Sequence, residues 1–222
     1  MTLALLQPVF APNLYDLAVM LQADRVILDD LETWSRKGRV HRALIRTPEG
    51  TNYIHIPVRT VDRNKPIKEV RIDQESDWIT PLLRSLKFNY RNSLYFDFYE
   101  PEIEADFNEG KGYEYLLPFI LYLRKRLFRF LELGLSPKER LASECREYDH
   151  DPDRFARSLG TDKLFQEYDS RHYQRQADMR SEPDFSHPEY RQHFEGFLPW
   201  CSAYDLLFQY GPESFKVIDQ LQ

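Results

Sequence analysis

Leu3-Ala4-Leu5-Leu6-Gln7-Pro8 and Arg25-Val26-Ile27-Leu28-Asp29-Asp30 are two short apolar runs, each closed by polar residues. Short continuous runs of this kind suit buried strands. Between them Leu14, Leu17, Ala18 and Leu21 recur at helical spacing, and Asn13 stands where a helix cap belongs. Strand, helix, strand within the first thirty residues predicts a βαβ opening.

Working outward, residues 40–47 and 53–58 flank Pro48-Glu49-Gly50. Proline presets the φ that a turn needs and glycine accepts positive φ, so this is read as a β-hairpin. Ile54, Ile56 and Val58 share one face, taken as the buried one. Residues 70–72 are read as a further short strand. After Ser76 the pattern turns helical. Residues 78–88 form a helix with Pro81 near its start. Residues 113–133 carry the clearest stripe, through Leu116, Ile120, Leu123, Leu127, Phe130 and Leu131, with Gly134 placed to end it. Ser136-Pro137-Lys138-Glu139 has the form of a capping box, predicting a short helix through Tyr148. Asp151-Pro152 and Thr161-Asp162 are read as two further helix starts. Residues 171–190 are polar and irregular, either a linker or an ordered loop at a site. Residues 197–207 return to apolar character and are expected to pack on the first half.

The fold class is therefore α/β, with α+β as the alternative. The expectation is an N-terminal βαβ unit with a β-hairpin forming a mixed sheet, followed by a mainly helical C-terminal half. One domain is expected over 1–222, mostly sheet over 1–75 and mostly helical over 76–222. The composition of 42% hydrophobic, 30% charged and 14% aromatic residues suits a globular chain with a sizeable core. The net charge of −6 disfavours a protein that coats nucleic acid, since such binding neutralises phosphates, but it leaves room for a local basic pocket. Cys145 and Cys201 make no framework and are read as reduced thiols. The N-terminus lacks a signal-peptide pattern, and the longest apolar run, 115–123, is far below the ~20 residues that span a bilayer. A soluble cytoplasmic protein with no membrane partner is expected. Cofactor and oligomeric state carry no signal.

Three groups of residues suggest chemistry. Gln7-Pro8 and Asp29-Asp30 would sit at the C-terminal ends of neighbouring parallel strands, where open α/β sheets bind ligands. Carboxylates there can serve as a general base or hold a metal. The plain alternative is that Asp29 or Asp30 only caps the next segment. Arg36, Lys37, Arg39, His41, Arg42 and Arg46 form a basic stretch suited to a nucleotide diphosphate or a phosphorylated carrier, or else a solvated hairpin edge. Asp178-Met179-Arg180 places two opposite charges in an irregular stretch, better read as a surface ion pair than as a site. No HExxH, Cys-His cluster, nucleotide-binding glycine motif or GxSxG elbow occurs, so no metal is assigned. Cys201 beside Trp200 is better read as a buried thiol than a nucleophile. The Tyr95, Phe96, Phe98 and Tyr99 run is read as core filling before sugar stacking.

Gln7-Pro8 with Pro12, Arg25 to Asp30, and the run from Pro188 through Phe197-Leu198-Pro199 and Asp205-Leu206-Leu207 to Gly211-Pro212 together resemble the WbqC-like protein family. Gln7-Pro8-Val9-Phe10-Ala11-Pro12 is similar to its opening Gln-Pro…Pro motif. The 25–30 stretch resembles its second strand and acidic pair, and Ile54-His55-Ile56-Pro57-Val58 its apolar-Pro-apolar strand end. Trp78, Tyr90, Tyr95-Phe96 and Tyr99 fall on its Trp and aromatic series. The most specific stretch runs from Pro188, Tyr190, Gln192 and Phe194 into Phe197-Leu198-Pro199-Trp200-Cys201-Ser202-Ala203-Tyr204-Asp205-Leu206-Leu207 and on to Gly211-Pro212. Asp178-Met179-Arg180 resembles an Asp-Leu-Arg that precedes it. Departures lie at Val40-His41-Arg42, where the family has Arg-Asn-Arg, at Leu82 in place of a His, at 181–186, which lacks a Pro-Lys, and at Cys201.

The family is associated with O-antigen gene clusters, and a glycine-transferase role has been suggested for a member. The resemblance therefore implies an acyl or aminoacyl transferase acting on a nucleotide-linked amino sugar. Asp29 or Asp30 would be the base and Asp178 would orient Arg180. Gln7, Arg42 and Arg180 would bind substrate. The rival reading is a non-catalytic nucleotide-sugar-binding or assembly protein of a polysaccharide pathway. A role in binding an aminoacyl-tRNA donor fits poorly with the acidic charge.

Overall fold

The structure is a computed structural model that describes residues 1–135, 139–167 and 177–221. It opens as the sequence predicts, with β1 (Thr2–Leu6), α1 (Leu14–Gln22) and β2 (Arg25–Leu28). β1 and β2 pair in parallel, from Leu3 beside Arg25 to Leu6 beside Leu28. Asn13 caps α1. Its side chain accepts from the Asp16 N–H at 2.9 Å, and the Asp16 carboxylate accepts from the Asn13 N–H at 3.0 Å. This reciprocal capping satisfies two donors the helix start would otherwise orphan.

Strand side chains alternate between two cores. Ala4, Leu6, Val26 and Leu28 join a large cluster with α1, while Leu3, Leu5 and Ile27 join a smaller one with Phe155, Ala156 and Leu164. A sheet covered on both faces explains why its strands read as unbroken apolar runs.

The rest of the sheet departs from expectation. Its order is β5 (Glu139–Leu141), β2, β1, β6 (Lys163–Phe165), all parallel, and both outer strands come from the second half of the chain. β5 (Glu139–Leu141) lies where a helix through Tyr148 was predicted. Residues 136–138 of that capping motif lie outside the described residues. β6 (Lys163–Phe165) replaces the helix predicted at Thr161-Asp162. Thr161 instead bonds the Met1 carbonyl and fixes the entry into β6. The open edges of β1 and β2 carry unpaired backbone groups, and pairing them outweighs a local capping preference.

The hairpin, β3 (Arg42–Thr47) and β4 (Gly50–His55), forms as predicted but stays a separate two-stranded sheet. It does not join a mixed sheet, because β5 and β6 already flank β2 and β1. Ala43, Ile45 and Ile54 turn instead into the large core. There the hairpin meets α2 (Ile79–Tyr90) and α6 (Ala203–Tyr210). Residues 70–72 are not a strand. They make only isolated bridges, Val58 with Ile72 and Arg71 with Tyr115.

In chain order α2 is followed by α3 (Phe96–Asn108) and α4 (Leu116–Phe130), before β5. Phe96 and Tyr99 fill the core as read from sequence, whereas Phe98 is exposed. α5 (Pro152–Ser158) begins as predicted, with the Asp151 carboxylate accepting from the Asp153 and Arg154 N–H groups. The chain closes with α7 (Phe215–Ile218). Among the described residues no helix is long and apolar enough to cross a membrane.

Candidate functional site

Because the four central strands are parallel, their C-terminal ends share one edge. β1 delivers Gln7 there, β2 delivers Asp29 and Asp30, β5 leads to Ser143, and β6 leads to Gln166 and Glu167. All but Ser143 are buried. This is the edge at which open α/β sheets bind ligands.

The two aspartates are held by different partners. Asp30 accepts from the Ser143 N–H at 2.9 Å and from its hydroxyl at 2.6 Å, one bond on each oxygen. Asp29 accepts from the Leu31 N–H and the Tyr148 hydroxyl, each at 3.3 Å. Its backbone N–H donates to Leu6 across the strands at 2.7 Å.

Glu167 is the residue that sequence reading missed. Its Oε1 accepts from the Gln7 N–H. Its Oε2 is buried with no hydrogen-bond partner among the described residues. Burial pushes the carboxyl up to about 7, although the Gln7 N–H and the Arg39 charge pull the other way. Arg39 forks onto Asp16 with two bonds of 2.7 Å. Arg180 donates to the Glu167 carbonyl at 2.9 Å and pairs with Glu182 at 3.0 Å. Its Nε is buried without an acceptor among the described residues. Glu182 in turn accepts from the Tyr15 hydroxyl at 2.8 Å, and burial together with Glu182 keeps that phenol protonated.

Local pairing sets this geometry. Arg180 bridges Leu164 and Ser181 donates to the Leu164 carbonyl at 2.8 Å, so residues 180–181 run alongside β6. The sequence-assigned residues thus fall into groups. Gln7 and Arg180 meet through Glu167. Asp29 and Asp30 occupy the same edge beside Ser143 and Tyr148. Arg42 is one loop away. Its Nε donates to the Gly38 carbonyl at 2.8 Å and its Nη2 to the Lys37 carbonyl, and its guanidinium lies over the Tyr53 ring at 4.3 Å. Asp178 stands apart, with an exposed side chain and its N–H donating to Asp153 at 2.8 Å. The partner of Arg180 is Glu182, not Asp178. The missed signal was Leu164-Phe165 followed by Gln166-Glu167, an apolar run closed by polar residues like those after Leu6 and Leu28.

A second buried network occupies the C-terminal stretch. Asp205, fully buried, accepts from the Tyr90 and Tyr190 hydroxyls at 2.8 Å each and from the Gln192 side chain at 3.0 Å. Tyr90 also accepts from the Arg46 N–H at 2.8 Å, tying β3 to α2. Gln192 clamps Leu198 through both its carbonyl and its N–H. Burial and then Asp205 push the Cys201 thiol up to about 12, which removes it as a nucleophile at neutral pH.

The profile of the WbqC-like protein family matches residues 7–217. The chain belongs to this family. It is also 30% identical over 211 residues to a Mycobacterium tuberculosis (strain ATCC 25618 / H37Rv) protein described as uncharacterized protein Rv1507c, spanning 85% of this chain and 84% of that one. No solved structure matches the chain. His41 is one of the positions read from the sequence as a departure from the family resemblance. Burial lowers its imidazole to about 3, and its Nδ1 accepts from the Trp34 indole N–H at 3.3 Å, so it is a neutral packing residue. Leu82, the second such departure, is buried in the large core.

Proposed function

We propose that the chain is an acyl or aminoacyl transferase, of the glycine-transferring type, acting on a nucleotide-linked amino sugar in surface-polysaccharide biosynthesis. One observation carries this reading. At the C-terminal edge of the parallel sheet sits a buried carboxyl, Glu167, held up at about 7 with one oxygen unengaged among the described residues. A general base works best when its pKa lies near the working pH. Amide formation needs such a base. The amine nitrogen attacks the acyl carbonyl, Glu167 takes the amine proton, the C–N bond forms, and the bond from acyl group to carrier breaks. The Arg180 Nε suits an oxyanion donor, since it is a buried charged N–H without an acceptor among the described residues. Gln7 lies beside Glu167, and Asp29 and Asp30 line the same edge as acceptor-binding carboxylates. Arg42 acts by fixing the residue 36–39 loop. The free thiols Cys145 and Cys201 support a reducing, cytoplasmic setting.

The test is product formation, read by mass spectrometry, from thioester and aminoacyl donors with nucleotide-linked amino sugars. Wild-type turnover should rise with pH through about 7, Glu167→Gln should abolish it, and Asp30→Asn and Arg42→Ala should raise KM. Both Asp30→Asn and Arg42→Ala leaving KM as well as turnover untouched would remove their assigned roles. A non-catalytic nucleotide-sugar-binding protein is the second reading, favoured by Asp30 having both oxygens satisfied by Ser143. Tight binding of the nucleotide sugar without product from any donor would establish it.

A further inference from the structure

The basic stretch of the loop before the hairpin is divided by the fold. Arg39 and Arg42 are spent inward, on Asp16 and on backbone carbonyls. Arg36 and Lys37 are exposed and meet Arg63 from a separate segment around a cavity of 230 Å³, whose other walls are Trp34, Ser35 and Asn64. We propose that this cavity binds a phosphoryl anion, one or two phosphates belonging to a larger ligand.

Three cations line the space and no carboxylate does. None of the three has an ion-pair partner among the described residues. That is notable in a chain of net charge −6, where like charges cluster only against a cost. The nearest acid in sequence to Arg63 is already neutralised. Asp62 is fully buried and bonds both Lys65 and Arg71 at 2.7 Å. The loop is held by its own hydrogen bonds. The Trp34 N–H donates to Lys65 at 2.9 Å, the Gly38 N–H to Ser35 at 3.0 Å, and the Lys37 N–H to the Ser35 hydroxyl at 3.3 Å. Arg42 pins the Lys37 and Gly38 carbonyls from the other side.

The chemistry selects phosphate. Two guanidinium forks match phosphate oxygens in pairs, and an ammonium adds a point charge. The volume is below the roughly 300–1,000 Å³ of a drug-sized pocket, which suits a phosphoryl group and leaves the rest of the ligand outside. Trp34 is a wall rather than a stacking platform, because its ring is buried. The same loop reaches the sheet edge. A Cβ on Gly38 would lie 3.6 Å from the Gln7 side-chain oxygen, and Arg39 pairs with Asp16 beside Glu167. The site stands without the transferase reading. It rests on that reading only for the idea that the phosphate belongs to the acceptor.

The probe is inorganic pyrophosphate, titrated calorimetrically into the full chain at several salt concentrations. Binding should be saturable and weaken as salt rises. Arg36→Ala and Arg63→Ala should each weaken it about tenfold, the scale of a lost charged hydrogen bond. Both residues are exposed, so melting temperature should not move. Arg84→Ala removes one charge on the exposed side of α2 and should leave affinity unchanged. Wild-type protein that ignores millimolar pyrophosphate, or Arg84→Ala weakening as much as Arg36→Ala, overturns the site. Displacement of pyrophosphate by uridine diphosphate supports the site with a soluble nucleotide as source. Displacement by vesicles carrying a polyprenyl phosphate supports it with a lipid source. Glu167→Gln should keep pyrophosphate affinity, so loss of turnover in that variant and loss of this site are separate results.

Discussion

Glu167→Gln offers a test of the site that needs no substrate. In the folded chain the carboxyl is held at about 7 against an ordinary 4.5, chiefly by burial. At ~1.4 kcal/mol per pH unit, that difference amounts to about 3 kcal/mol. The sign follows from which state holds the proton more tightly. Here it is the folded state, so the favourable contribution is complete below about pH 4.5 and is lost as pH rises through about 7. The side chain is buried, so solvent screening takes little from the figure. Gln cannot ionise, yet its carbonyl can still accept from the Gln7 N–H as Oε1 does. The variant should therefore gain about 3 kcal/mol on wild type between about pH 4 and pH 8. For a chain of this size that corresponds to roughly 6–12 °C in melting temperature. Urea denaturation across that pH range would read it directly. Parallel stability-versus-pH curves for the two proteins would refute the claim that Glu167 is a buried, weakly compensated carboxyl. Its role as a base would fall with it.

Other perturbations probe the frame that holds this edge. Asp205→Ala strands three buried donors, on Tyr90, Tyr190 and Gln192. The expected cost is ~3–6 kcal/mol by urea denaturation, with Asp205→Asn costing less because one acceptor survives. Burial raises the Asp205 carboxyl, so wild type should lose ground to Asp205→Asn as pH rises from below the ordinary carboxylate range. Arg124→Met removes the fork that reaches Glu139 at 2.5 and 3.0 Å from inside the core. It should cost ~3–5 kcal/mol, and adding Glu139→Leu should recover most of that. Gly211 adopts φ +50°, and a Cβ there would lie 2.5 Å from the Tyr95 ring. Gly211→Ala should cost ~2 kcal/mol or more, with Tyr95→Ala in the same chain relieving part of it.

What the sequence revealed followed the range of the forces involved. The βαβ opening was legible because its helix is capped by its own neighbours, Asn13 and Asp16, and its strands are joined by that short helix. The hairpin was legible because Pro48-Glu49-Gly50 turns the chain on itself. β5 and β6 were not. Each is three residues long, and neither carries a periodicity that three residues can display. What makes them strands is the open edge of β2 and β1, more than a hundred residues away in sequence. Thr161-Asp162 and Ser136-Pro137 look like helix starts when read alone, because capping residues favour turns of several kinds.

The site inherits that division. Gln7, Asp29 and Asp30 could be named because they end strands that could be named. Glu167 could not, because its position at the C-terminal edge exists only if residues 163–165 are a strand. The motif that identified the family marks a different place. Tyr190 and Gln192 converge with Tyr90 on the buried Asp205 carboxylate, which clamps α6 to α2, and through Arg46 to the hairpin. A buried carboxylate with three donors tolerates few replacements, since losing any member leaves another unsatisfied. Family resemblance was therefore strongest where packing is most demanding. The proposed chemistry lies at the other network, where a short strand delivers a single glutamate to the edge of the sheet.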